Sequence, residues 1–224
     1  MSEYTSYRYS ARPGRASHEI LIRAGLSGEL TAISTDVDGL IAESRDLAAR
    51  QITGSPPKIS NSLQRALFVE IGQGGLDAAR LRDSLSDADA NTLGQAAGHL
   101  ADRLQEASSA VVLDAFGSSL TEMGYTLRPL RSGSGIKARH TDGTAVAVTL
   151  DPSTTRAEVD LSGFAGGACT RASKLLEDKL ARRGVKLTIS YRDQTACGSG
   201  GQFMQSNGSG RAADRPRSRT RNRR

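Results

Sequence analysis

The chain has 224 residues, of which 37% are hydrophobic and 4% aromatic, with no Trp and a formal charge of +6. That content supports one large or two modest domains, and the plentiful Ala, Leu, Ser and Gly suit helices packed through Leu and Ala better than a β-sandwich. No apolar run reaches the roughly 18 residues of a membrane span, and Met1 precedes polar Ser2 and Glu3 rather than a basic and then apolar leader, so neither a span nor a secretion signal is expected.

Residues 1–16 hold Tyr4, Tyr7, Tyr9, Arg8, Arg12, Pro13 and Arg15 without a helical or strand period, which predicts a flexible arm whose tyrosines drape on the body. From Ser17, the expected N-cap, Leu26, Leu30, Ile33, Val37, Leu40 and Leu47 recur at steps of four and three, with Ser44 at the one missing position. This reads as a heptad seam along one helix. Gly25, Gly28 and Gly39 each cost about 1 kcal/mol against Ala, so packing must hold it. Thr53-Gly54-Ser55-Pro56-Pro57-Lys58 ends it, because prolines remove donors.

Leu63, Leu67 and Ile71 mark a second helix, and Gln73-Gly74-Gly75 breaks the pattern before Leu81 and Leu85. Leu93, Ala97, Leu100, Leu104, Ala107 and Val111 mark a third, capped by Asp87 or Asp89 and running through Phe116 and Leu120 to Gly124. Residues 17–110 therefore read as a helical hairpin or small antiparallel bundle. An intermolecular coiled coil presents the same pattern, so a homo-oligomer built through these helices stays open.

After Gly124 the period becomes alternating. Strands are expected over 125–130, 136–140, 144–150 and 157–161, with Asp142-Gly143 as a two-residue hairpin turn of the primed type. The glycine-rich run Gly163-Phe164-Ala165-Gly166-Gly167-Ala168-Cys169 opens an amphipathic helix carrying Leu175, Leu176 and Leu180, which Gly184 closes, and 185–191 gives a last strand. Residues 111–193 are thus a small antiparallel sheet packed with helices, and the chain as a whole is α+β. Residues 194–224 are Gly, Ser, Asn and Arg with almost no apolar side chains, a composition that predicts disorder.

The turn Gly163-Phe164-Ala165-Gly166-Gly167-Ala168-Cys169 after a hairpin and strand, with Leu176-Glu177 in the following helix, resembles a small uncharacterised bacterial and plastid domain family. The helix ending in Gly124-Tyr125 before strands is similar to a companion family encoded beside it and near AAA-type ATPases. The likeness covers about a third of the chain. It implies an accessory protein of a multigene system and carries over no activity or site residue. The long helical half and the arginine tail depart from the family pattern.

Backbone N–H groups at the turn of Gly163, Phe164, Gly166, Gly167 and Cys169 could cradle an anion at a helix start. The turn lacks the Lys-Ser/Thr pair of a P-loop and the spacing of a dinucleotide fingerprint. The alternative is close packing, with Phe164 as an anchor and Cys169 as a small buried hydrophobe. Cys169 and Cys197 are too far apart in sequence for a zinc or thiol-exchange motif, and read as free thiols of a cytoplasmic protein. His18, His99 and His140 are scattered, and Asp36-x-Asp38-Gly39 lacks the distal Glu of a calcium loop, since Leu47 stands there. No catalytic residue, metal ligand or cofactor is assigned.

The tail differs in kind. Arg211, Arg215, Arg217, Arg219, Arg221, Arg223 and Arg224 face one acid, Asp214, while the first 206 residues balance 23 bases with 23 acids. Such a tail either solubilises the chain or condenses on phosphates without sequence preference. The leading expectation is a non-enzymatic adaptor that docks a larger, ATPase-type partner. The alternative is a nucleic-acid-binding protein acting through the tail, with the sheet as a further binding face; the neutral body argues against it.

Overall fold

The computed structural model describes residues 3–12, 17–26, 30, 36–50, 58–72, 90–130, 134–154, 156–165 and 167–195. In chain order these form β1 (Glu3–Arg12), α1 (Ser17–Arg23), α2 (Val37–Ala49), α3 (Asn61–Glu70), α4 (Ala90–Glu122), β2 (Thr126–Pro129), β3 (Gly135–Arg139), β4 (Ala145–Asp151), β5 (Arg156–Phe164), α5 (Ala168–Arg182) and β6 (Lys186–Thr195). The fold is α+β: the strands make one antiparallel sheet in the order β2-β3-β4-β5-β1-β6, and helices pack on it.

Residues 3–12 are the main departure from expectation. The predicted arm is a strand lying between β5 and β6. Thr5, Tyr7, Tyr9 and Ala11 share one face and none is more than 2% exposed. Their period of two is carried by Thr, Tyr and Ala rather than by aliphatic residues, so a count of Val, Ile and Leu does not detect it. β6 changes with it. It runs past its expected end at Tyr191 to Thr195, because Tyr4, Thr5, Ser6 and Tyr7 supply partners for residues 192–195.

The long seam helix is also divided. Gly25 takes φ 71, Leu26 N–H donates to Leu21 O at 2.8 Å, and Gly25 N–H donates to Ile22 O at 2.9 Å. This is a Schellman stop, and only a residue free to enter the left-handed region makes it cheaply. α1 therefore ends where the heptad reading continued, and α2 starts at Val37. The seam residues stay inside: Leu26, Leu30, Val37, Leu40 and Leu47 are all buried, and the Ser44 hydroxyl donates to Leu40 O at 2.7 Å. Ile33 lies outside the described residues.

Those side chains pack with Leu63, Leu67, Leu93, Leu100 and Leu104 into the first of two apolar clusters. The Ser60 hydroxyl caps α3 by accepting from Leu63 N–H at 3.1 Å, while Glu43 of α2 accepts from Ser60 N–H at 2.7 Å and from its hydroxyl at 2.6 Å. An ion pair of 2.8 Å joins Arg103 of α4 to Glu70 of α3. The seam is thus filled from within the chain.

The second cluster lies on one face of the sheet. Val112, Phe116 and Leu120 of α4 and Cys169, Leu176 and Leu180 of α5 cover Tyr7, Tyr9, Val146, Val148, Val159 and Leu161. α4 runs through both clusters, with Val111 in the first and Val112 in the second. The helical unit is consequently an insertion between β1 and the rest of the sheet unit, rather than a separate N-terminal half.

The β3–β4 hairpin differs in detail from its prediction. His140 N–H donates to Thr144 O at 2.9 Å and Gly143 N–H to His140 O at 3.2 Å, with Gly143 at φ 89. This is a three-residue loop closed by a bulge. Asp142 selects it by accepting from Thr144 N–H at 2.9 Å and from the Thr144 hydroxyl at 2.7 Å, a local bridge that a two-residue loop has no room for.

Candidate nucleic-acid interface

Alternation sorts the side chains of β2 and β3 between the two faces of the sheet. Leu127 and Ile136 pack toward the second cluster, and both approach Gly117 of α4. Thr126, Arg128, Lys137 and Arg139 are therefore turned to the opposite face. Antiparallel pairing sets Arg128 directly across from Lys137, and Thr126 across from Arg139. With His140 and Thr141 they line a hollow of about 710 Å³ in which no described residue contributes a carboxylate.

Electrostatics sharpen this grouping. Lys137 is only 7% exposed, and burial first, then the neighbouring Arg139 charge, lower its pKa from the ordinary lysine value. Arg128 and Arg139 are exposed, and no described carboxylate lies within ion-pair distance of either. His140 sits at the rim, with Nδ1 3.0 Å from Asp142 Oδ1 and its ring 5.3 Å from that of Tyr125. Asp142 is held down at about 2, mainly by the Thr144 hydroxyl and N–H and to a smaller degree by His140.

Further along the same face a second hollow, of about 810 Å³, includes Arg8, Thr149, Asp151, Arg156 and Glu158. Its charges are internally matched: Arg8 pairs with Glu158 at 3.3 Å.

The fold also redistributes the chain's charge. Residues 17–122 hold fifteen acids and eight bases, whereas residues 1–16 and 123–195 together hold eight acids and fifteen bases. The formally neutral body is the sum of an acidic segment and a basic one. Residues 123–195 alone hold seven acids and twelve bases, and residues 1–16 add one acid and three bases.

The glycine turn resolves differently. Gly163 has φ 82 and sits at a bulge in the β1–β5 pairing, where a Cβ would lie 2.8 Å from Gly143 O. It is a close backbone approach to the β3–β4 hairpin. Phe164 and Cys169 are buried in the second cluster, and Gly167 precedes α5 at φ 75 with no side-chain cap. Gly166 and the seven arginines Arg211, Arg215, Arg217, Arg219, Arg221, Arg223 and Arg224 lie outside the described residues, as does Cys197. Among the described residues no three or more of His, Cys, Asp and Glu cluster as metal ligands do, and no helix is long and apolar enough to cross a membrane.

Sequence reading missed Arg128, Lys137 and Arg139. The signal was present: three bases interleave with Leu127, Ile136 and Ala138 on strands already predicted to pair, so they had to share a face. No protein-family model matches the chain, and no curated protein matches it.

Proposed function

We propose that this is a non-enzymatic accessory protein that attaches to nucleic acid by charge rather than by sequence. The observation that supports the reading is the separation of the body into a basic sheet unit and an acidic helical segment. A neutral body would give no reason to expect attachment beyond the tail. A polarised one does, since a polyanion is drawn to the basic side and repelled from the other. The arginines from Arg211 onward add seven cations to the chain.

The acidic helical segment supports a second element of the proposal. It faces away from a polyanion on charge grounds and so is left to dock a larger protein partner, an ATPase in the reading that the family resemblance implies. The buried thiol of Cys169 accords with a cytoplasmic setting.

Titration of the full chain with labelled single-stranded and duplex oligonucleotides of mixed sequence tests the attachment. Log affinity should fall linearly with log salt and vary little with sequence. Absence of binding at low salt, or strong preference for one sequence, would overturn it. Co-purification from the native host with and without nuclease tests the docking: a protein partner that survives nuclease supports it, and capture that vanishes entirely overturns it.

A further inference from the structure

Asp102, Glu106 and Asp114 are exposed along one face of α4. Asp102 and Glu106 stand one helical turn apart, a spacing at which like charges destabilise a helix, and no described cation lies within ion-pair distance of either. Bases of the packed elements are engaged elsewhere: Arg45 of α2 donates to Gln105 at 3.3 Å, and Arg103 pairs with Glu70 of α3. Arg23 of α1 serves both Glu19 and Asp114, at 3.1 and 2.6 Å, so two carboxylates share one guanidinium. Beside Asp114, between α1, α4 and the β2–β3 end of the sheet, lies a hollow of about 670 Å³ walled by Leu113, Gly117, Leu127 and Ile136, and no described base lines it.

We propose that residues 211–224, with their seven arginines, dock in cis on this acidic face and its hollow. Charge selects the face: residues 123–195 hold seven acids and twelve bases and repel the segment, whereas residues 17–122 hold fifteen acids and eight bases and attract it. Arginine stems are apolar and cover Leu113, Leu127 and Ile136 while their guanidiniums reach the carboxylates. Reach agrees with this. Thr195 shares one row of the sheet with Tyr4, Ser162, Ala145, Arg139 and Thr126, so five strand spacings, about 24 Å, separate the end of β6 from the start of β2 beside the hollow. Fifteen residues, eight of them Gly or Ser, join Thr195 to Arg211, and a flexible chain of that length spans about 22 Å. A tether matched to its span gives an effective concentration on the order of millimolar. Exposed ion pairs that are weak singly therefore add up within one chain. The contact does not depend on nucleic acid, and a protein partner docking on the same face would release the arginines.

The test uses the full-length chain with a nitroxide attached at Asn222→Cys and with Cys197→Ser; Cys169 is buried and stays unlabelled. At low salt the label should broaden the amide signals of residues 102–117, to the same extent after dilution of the protein. The signals should recover in about 1 M salt, where charges are screened beyond about 3 Å. Asp102→Asn with Glu106→Gln and Asp114→Asn alters exposed positions only and should remove most of the broadening. Asp36→Asn with Asp46→Asn and Asp178→Asn removes the same charge at other exposed positions and should keep it.

Equal losses in the two variants would show a diffuse field and overturn the docking face. Broadening that is absent from the parent chain, or that falls on the sheet unit instead, overturns it as well. Broadening that grows with protein concentration would mean that the arginines reach a second copy, and overturns docking in cis. If the variant of Asp102, Glu106 and Asp114 fails to fold, changing the seven arginines to serine in the labelled chain decides: loss of broadening at residues 102–117 supports the contact, and its persistence overturns it.

Discussion

The helical and sheet units share α4, yet they are stabilised by different physics. Helices α1, α2 and α3 are short, at 7, 13 and 10 residues, and isolated helices of that length are marginal in water. They persist because their Leu and Ala side chains pack on the first half of α4. The sheet unit holds its parts through ladders between distant segments and through polar bridges such as Tyr9 with Ser173 and Glu177. One unit is packed and local; the other is laddered and long-range.

The largest expected effects come from breaking each core separately. Phe116→Ala and Leu104→Ala both remove fully buried side chains, one from each cluster, at about 3–5 and 2–5 kcal/mol respectively. Denaturant unfolding gives the magnitude and amide exchange the location. Leu104→Ala should lower protection in α2 and α3 while β3, β4 and β5 keep theirs. Uniform loss across both units would mean that α4 couples them into one cooperative body.

A smaller effect sharpens the role of the hairpin contact in the sheet unit. Gly163→Ala places a methyl group 2.8 Å from Gly143 O at a φ of 82, and strain of this kind costs of order 1–3 kcal/mol. The loss should appear as a lower midpoint, with exchange accelerated at residues 140–145. An unchanged midpoint would show that the bulge relaxes freely.

Tyr9→Phe should cost about 1 kcal/mol, somewhat more if Ser173 is left unsatisfied. The tyrosine hydroxyl lies 2.9 Å from Ser173 Oγ and donates to Glu177 Oε1 at 3.1 Å. Desolvation by burial is the main reason that its pKa is raised, so the phenol stays protonated across the ordinary range. Because the unfolded chain's phenol ionises near 10.0 while the folded one keeps its proton, stability should fall as pH rises above about 10 in the parent and fall less in Tyr9→Phe; equal declines in the two would contradict this.

The smallest effect is acidic. Asp142 and Asp151 are lowered from 3.8 to about 2, chiefly by hydrogen bonds from Thr144 and Ser153 respectively. Depressed carboxylates contribute fully above their unfolded value and lose that contribution as pH falls through the folded one. Asp142→Asn and Asp151→Asn should thus flatten the decline in stability between about pH 4 and pH 2. An acid limb identical to the parent's would place the sensitive groups elsewhere.

Legibility in the sequence followed the same division. The strands β2, β3 and β4 and the helices α4 and α5 were readable, because their periods are written in aliphatic residues and their ends in Gly124, Gly143 and Gly184. Gly25 was misread as a tolerated defect within a helix, since a Schellman stop and a costly interior glycine look alike until the next residues are placed. β1 was lost because Tyr and Thr alternate there with Ser and Arg, and its partners lie at the far end of the chain. The cationic hollow was lost with it: net charge was summed along the sequence, whereas the fold sums it by face.

The place of β1 has a consequence for synthesis. Arg8 precedes its cross-strand neighbour Glu158 by 150 residues, so at about 5–20 residues per second β1 leaves the ribosome roughly eight to thirty seconds before β5 exists. The helical unit, built from nearby contacts, has ample time to form meanwhile. The nascent chain should then carry a finished helical body trailing an unpaired ten-residue strand, open on both edges. That interval is when the protein is most exposed to aggregation and to capture by a chaperone.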